Sequence, residues 1–394
     1  MNILLIPFHD WRKILLEGFR TRDAHFIEEF TKSKSHKIII VNRPTTFLEI
    51  ILKRKRNLIK GKVVLSKSSF KLYEIKPNVY VIDFVSLNVF SQIYHSYIWF
   101  INQYGNDNYI EFINDALDYL GIKDDYHLLN QNIFAYKLSE KLKPKKSVFD
   151  CWDNFEKFNV YKKYLPNIEL GYKTYAKVAD FWMTNSKDNI GYFNEKYKLD
   201  QIFLVNNGVD LERFVHAECV EFPEDMKGLK RPIIGFGGKI SQLIDTELLN
   251  KTMKLSNEGS FVFVGQILDK EVFDKIDKLD NFFYLGDKHY DQYPNYVNNF
   301  DICIVPYVIE NEKKSGANTI KVYEYLATGK KVIGTPSNGI EDLAKNVYIV
   351  NNASDFVSEI KDITNNKESI DLNFHSWGYK LKQLLKIFDS TNES

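Results

Sequence analysis

The stretch from Asp301 to Pro336 constrains this chain more than any other. Asp301-Ile302-Cys303-Ile304-Val305-Pro306-Tyr307 is an apolar run of strand length, followed by a polar loop ending Ser315-Gly316-Ala317. Helical periodicity then sets in, with Ile320, Tyr323, Leu326 and Ala327 on one stripe, until Gly329 stops it and Val332-Ile333-Gly334 resumes as strand. This is one α/β repeat whose helix starts at the strand's carboxyl end. Ligands of open parallel sheets sit there, and a helix N-terminus favours anions. Lys321, Glu324 and Thr328 share a face of that helix. A nucleotide diphosphate would suit the pair, Lys for phosphate and Glu for ribose hydroxyls. The alternative is a surface ion pair contributing roughly 0.2–0.5 kcal/mol.

The segment Asn318-Thr319-Ile320-Lys321-Val322-Tyr323-Glu324-Tyr325-Leu326-Ala327-Thr328-Gly329 resembles the donor-sugar signature of GT-B glycosyltransferases, specifically the retaining family 4 (glycosyl transferases group 1). Pro232 to Ile240, with Gly237-Gly238-Lys239, resembles that family's first strand and glycine turn, Lys239 standing where Arg is usual. Phe261 to Gly265 resembles its second strand, and Phe283 to Lys288 the turn whose backbone reads the nucleobase. Asn207-Gly208-Val209-Asp210 to Phe214 resembles the segment that closes the first domain. The resemblance covers about half of the chain. It implies two Rossmann-like doubly wound α/β domains facing across a cleft, with a C-terminal helix crossing back to the first. It places Gly238, Lys239, Asp287, Gly316, Asn318, Lys321 and Glu324 at the donor. It also implies a front-face reaction with retention, in which the leaving phosphate oxygen takes the acceptor's proton and no side chain attacks. Two departures stand out: Gly316 occupies the place of the family's first Glu, and a single Gly18 replaces the usual pair after the first strand.

The chain has 394 residues, so two domains are the default. A net charge of +1 gives no field for nucleic acid. Cys151, Cys219 and Cys303 form no C-x-x-C, so neither a zinc cage nor a disulfide framework is indicated and a reducing cytoplasm fits. Asn2 to Phe8 is too short for a secretory leader, and no apolar stretch approaches the ~18 residues of a spanning helix. Asn2 to Pro7, a helix near Ala24 to Ser33, and Lys37 to Pro44 form a βαβ unit, which Val79 to Phe84, Ser147 to Asp150, Phe181 to Ser186 and Ile202 to Val205 extend. The expected divisions are an acceptor-side domain over 1–215, a linker over 216–231, a donor domain over 232–373 and an amphipathic closing helix over 374–394.

The first half offers its own candidates. Asp150 and Asp153 follow a strand, one to orient an acceptor hydroxyl and one to cap the next helix. His9, Arg20, Arg22 and His25 crowd the loop after the first strand, with Asp10 and Asp23 among them. Arg20 or Arg22 suits a diphosphate or an anionic acceptor, and the alternative is a salt-bridge network with Asp23. From Phe47 to Lys71 eight cations stand against Glu49 alone, interleaved with apolar residues. Such a basic amphipathic segment suits the anionic inner face of the plasma membrane; the alternative is a solvated helix. The absence of Asp-x-Asp and of metal-spaced histidines implies no bound cation and no cofactor. The phosphates would then meet Lys239, Lys321 and helix dipoles. The expected partners are a nucleotide sugar and a glycan or lipid-linked acceptor. The competing activities are a 2-epimerase of the same fold, a non-catalytic nucleotide-sugar binder, and a dehydrogenase. Gly235-x-Gly237-Gly238 suggests the last, but the next strand lacks the acidic residue that would grip ribose.

Overall fold

The computed structural model describes residues 1–33, 35–52, 59–215, 220–256, 259–309, 318–337, 340, 343–362, 367 and 369–390. The chain divides into two compact units: Met1–Val205 together with the residues from Leu381 on, and Asn206–Lys380.

The first unit carries β1 (Asn2–Ile6), β2 (Lys37–Val41), β3 (Thr45–Thr46), β4 (Lys62–Lys67), β5 (Phe70–Lys76), β6 (Val79–Ser86), β7 (His127–Asn130), β8 (Ser147–Asp150), β9 (Phe181–Thr184) and β10 (Ile202–Leu204). Their order is β10-β9-β8-β7-β1-β2-β6-β5-β4, with β3 paired to β6. From β10 to β6 every pairing is parallel, and β5 and β4 add an antiparallel edge. The apolar run Ile3-Leu4-Leu5-Ile6 is fully buried at the centre, each side chain contributing roughly 1.5–3 kcal/mol by leaving water. Helix Arg22–Lys32 covers the sheet with Phe26, Ile27 and Phe30.

The second unit carries β11 (Ile233–Gly237), β12 (Ser260–Val264), β13 (Phe282–Tyr284), β14 (Ile302–Val305), β15 (Lys331–Gly334) and β16 (Tyr348–Ile349). Their order, β13-β12-β11-β14-β15-β16, is parallel throughout. In both units the first strand lies inside the sheet and the chain winds outward from it on either side. The order therefore reverses at the carboxyl ends of β1 and β7 in one unit and of β11 and β14 in the other. Crevices for ligands form at such points.

Several boundaries differ from expectation. The division falls at Val205, ahead of 215, because Val209 and Phe214 pack in the second unit's core. The stretch expected as a linker includes the turn Glu224–Met226, whose Met226 is buried in that same core. The closing helix begins as Leu372–His375, breaks at Ser376, and runs on as Trp377–Asp389. At the break Ser376 pairs with Val209 through an isolated parallel β-bridge. Phe388 from this helix meets His127 edge-on at 5.2 Å within the first unit.

Candidate functional site

At the second unit's reversal point the strands end in turns that touch one another. Gly238 and Gly265 have φ of +141° and +145°. A Cβ on Gly265 would lie 2.0 Å from the Gly238 carbonyl oxygen, so only glycine permits this approach. The Gly265 N–H donates to the Gly286 carbonyl at 2.9 Å, which extends the row to the turn after β13. Over the row lies Lys321. Its Nζ sits 4.2 Å from the Phe236 ring centre and donates to the Tyr307 hydroxyl at 2.6 Å. A Cβ on Gly238 would come within 2.4 Å of that Nζ. Phe236 is the last residue but one of β11 and Tyr307 follows β14, so the ammonium is seated between the two strands where the order reverses.

One turn further on, Glu324 is 3% exposed and accepts a hydrogen bond from the Tyr290 hydroxyl at 2.6 Å. Burial pushes its carboxyl up to about 7, against the Tyr290 bond and the Lys321 charge, which pull it down. Arg213 lies over the Tyr290 ring at 5.3 Å and pairs with Asp210. Asn318 is engaged within the unit. Its side-chain oxygen accepts from the Asn207 N–H at 3.0 Å, its carbonyl from the Asn207 amide at 2.6 Å, and its own amide donates to Tyr323 at 3.0 Å. Its visible work is to tie the segment after Val205 to the helix. Lys239 is half-buried beside Gly238, and Asp287 is exposed. Gly316 lies outside the described residues.

The first unit's reversal point is filled with paired charges. Arg22 is buried, its Nε and Nη2 donating to Asp150 at 2.8 and 3.2 Å, and Gln131 adds a third bond to that carboxylate at 2.8 Å. Burial still raises the Asp150 pKa. Arg22, expected at a diphosphate or an anionic acceptor, and Asp150, expected to orient an acceptor hydroxyl, are here each other's partners. Arg20 pairs with Glu17 at 3.0 Å, and His25 is buried. Asp153 accepts from the Asn154 N–H at 3.0 Å, while Asn154 caps the following turn. Asp23 binds His9 at 2.9 Å through Nδ1. Sequence reasoning missed a further network: Arg12 with Asp83 and Asn42, and Arg43 with Glu49. Arg12 comes from the helix Trp11–Glu17 after β1, Asn42 and Arg43 follow β2, Asp83 lies in β6 and Glu49 in the helix Phe47–Leu52, and they converge only in three dimensions.

The basic segment is not one helix among the described residues. Phe47–Leu52 is helical, whereas Lys62–Lys67 and Phe70–Lys76 form an edge hairpin whose Lys67 is paired with Glu111 and Asp115. Lys53, Arg54, Lys55 and Arg56 lie outside the described residues. The helix Phe47–Leu52 meets a second helix, Val89–His95, through polar groups: Gln92 bonds Thr46 at 2.6 Å and Glu49 at 2.8 Å. Phe47, Ile51 and Leu52 on one and Phe90, Ile93 and Tyr94 on the other are left exposed, Phe90 by 80% and Tyr94 by 84%.

Known proteins share this architecture. HepE from Anabaena, solved with UDP-glucose, superposes over 99% of this chain and 100% of its own with a TM-score of 0.62 at 13% identity. The UDP-forming trehalose-phosphate synthase from Burkholderia xenovorans, solved with glucose-6-phosphate, does so over 99% and 100% with a TM-score of 0.64 at 11% identity. The fold is that of the GT-B glycosyltransferases. Within it, residues 231–366 match the family described as glycosyl transferases group 1. TuaH of Bacillus subtilis strain 168, whose name proposes a teichuronic acid biosynthesis glycosyltransferase, is 26% identical over 138 residues, 34% of each chain.

Proposed function

We propose that the protein is a glycosyltransferase that moves a sugar from a nucleotide-diphosphate donor to a hydroxyl acceptor with retention, in the assembly of a cell-surface polysaccharide or glycoconjugate. The observation that carries this reading is the seat of Lys321 at the strand reversal, over the glycine turns that follow β11 and β12. Lys321 and Lys239 would meet the diphosphate, whose charge grows as the sugar departs, without a metal ion. Glu324 would meet the ribose. UDP is the first nucleotide to try, since HepE is known bound to it. A thermal-shift comparison of UDP, GDP, ADP, CMP and dTDP tests the reading, because a ligand bound only by the folded state raises the melting temperature. Stabilisation by one nucleotide is expected, followed by transfer or hydrolysis of the corresponding labelled sugar. No stabilisation by any of the five would overturn it.

The same reading puts the protein in the cytoplasm, at the inner face of the plasma membrane. Support comes from the outward apolar helices Phe47–Leu52 and Val89–His95 and from the Lys-Arg-Lys-Arg sequence that directly follows Leu52. No helix among the described residues is long and apolar enough to cross a membrane.

A further inference from the structure

Tyr290 lies between β13 and the helix Tyr293–Asn299 and is 3% exposed. Its hydroxyl donates to Oε1 of Glu324 at 2.6 Å. The phenol is held on several sides by residues of the same unit. Arg213 lies over the ring at 5.3 Å and is itself tied to Asp210 and, at 3.1 Å, to Asp291. Tyr293 stacks on it at 6.2 Å with planes inclined by 19°, and Phe214 leans against it at 5.9 Å. Among the described residues, no hydrogen bond reaches the other oxygen of Glu324, Oε2. The charged and titratable groups around this carboxyl are Lys321 on its own helix, Tyr290, Tyr293 at the start of the neighbouring helix, and Asp210 from the segment after Val205.

Burial pushes the Tyr290 hydroxyl well above its ordinary range, so it keeps its proton and donates. The Glu324 oxygen that faces it is therefore an acceptor whether the carboxyl is protonated or ionised. In the protonated form the proton sits on Oε2. In the ionised form Oε2 is a buried charged acceptor with no donor among the described residues, which is costly until a ligand supplies one. The vicinal hydroxyls of ribose are such donors. We propose that Tyr290 positions Glu324 for ribose: by engaging Oε1 it confines the carboxyl proton to Oε2, where ribose hydroxyls displace it when the nucleotide binds. The proton passes to solvent, and the hydroxyls donate to the oxygen it leaves. The contact between Glu324 and ribose belongs to the glycosyltransferase reading, on which this inference rests. What is added is a positioning residue and a proton released on binding. A site that works this way separates ribonucleotides from 2′-deoxyribonucleotides most sharply at a pH where the proton is already gone.

The test titrates the whole protein calorimetrically with UDP and with 2′-deoxy-UDP. The two ligands carry the same phosphates, so phosphate titration cancels in the ratio of their affinities. In the parent, the preference for UDP should fall about tenfold between about pH 8 and pH 6, following the ionised fraction of a carboxyl that titrates at about 7. Near neutral pH, UDP should also release more protons than its deoxy analogue, read from buffers of different ionisation enthalpy. Tyr290→Phe keeps the ring and removes the donor, so the midpoint of that fall should move up by about one pH unit or more. A merely structural Tyr290 predicts lost stability in the variant with the preference and its midpoint unchanged. Should Tyr290→Phe fail to fold, 3-fluorotyrosine at position 290, a stronger donor, must move the midpoint down. A parent preference that is flat with pH, a midpoint unmoved by the change at Tyr290, or tighter binding of dTDP than of UDP would overturn the inference. Where another ribonucleotide is the one that stabilises the protein, it and its 2′-deoxy form take the place of UDP. If a nucleotide binds but these shifts do not appear, the role of Tyr290 alone falls; if none binds, the glycosyltransferase reading falls with it.

Discussion

The two units build the same edge and furnish it differently. Each has parallel strands wound outward from a central first strand, and each therefore has a reversal point at the carboxyl ends of its inner strands. In the second unit that point is lined by glycine turns, aromatic rings and a lysine seated on them. Along the first unit's sheet, carboxylates and guanidiniums instead neutralise one another: Arg22 with Asp150, Arg12 with Asp83, Arg43 with Glu49. Topology supplies the crevice, and the local pairing of charge decides whether an anion has anything there to bind. Arginines at a strand's carboxyl end thus read as ligands in sequence and are found paired with carboxylates in the first unit.

The largest expected effect comes from breaking the filled edge. Arg22→Ala leaves Asp150 buried without its cation and should cost about 3–5 kcal/mol of stability in urea unfolding. Nucleotide affinity below the melting transition should not change. A loss of affinity with unchanged stability would mean that the first unit's charges serve a ligand after all.

The next effect belongs to Glu324. Its folded pKa of about 7 lies above the ordinary 4.5, so the folded state holds this proton more tightly than the unfolded state. The linked stability is complete below about pH 4.5, declines as pH rises toward 7, and has gone above it, amounting to up to about 3 kcal/mol at 1.36 kcal/mol per pKa unit. The difference between parent and Glu324→Gln in urea unfolding should trace that decline. A flat difference would show the carboxylate to be solvated.

Smaller still is the effect at the open edge. Lys321→Ala should weaken UDP by about 1.5–3 kcal/mol, the range for hydrogen bonds to charged groups, while leaving uridine nearly unaffected. Lys239→Ala should act in the same sense. Calorimetric titration separates the two ligands, and equal losses for both would remove the lysines from the phosphates. Activity is also expected to survive EDTA. The smallest effect on stability, within about 0.5 kcal/mol, is expected for Phe90→Ser with Ile93→Ser, since both side chains already face solvent. The same pair should abolish flotation with anionic vesicles at low salt, and undiminished flotation would move the membrane contact elsewhere.

What could be read beforehand follows from which interactions are local. Runs such as Ile3 to Ile6 and Phe261 to Val264 announce buried parallel strands by themselves. The glycine turn at Gly237-Gly238 and the lysine of helix Ile320–Ala327 carry their chemistry in residue type and spacing. Charge pairing carries none: Arg22 and Asp150 lie 128 positions apart, and only the sheet order brings them together. The hairpin over Lys62 to Lys76 was obscured because its lysines dominate the composition, while its strand alternation survives in buried Phe70 and Leu72. The exposed helix Val89–His95 was illegible for another reason. Periodicity shows that a helix has an apolar face, not that its polar face is the one turned inward.

One helix, Trp377–Asp389, belongs to both units, changing allegiance at Leu381. A ribosome delivers residues in order, and domains ordinarily fold as they emerge. Here the second unit is fully delivered once Lys380 is out, whereas the first, although begun with residue 1, lacks the helix that carries Phe388 to His127 until the residues beyond Leu381 appear. The nascent first unit must therefore wait, with that face uncovered, through the synthesis of the entire second unit. Its buried ion pairs can form during this delay; its last apolar contacts cannot.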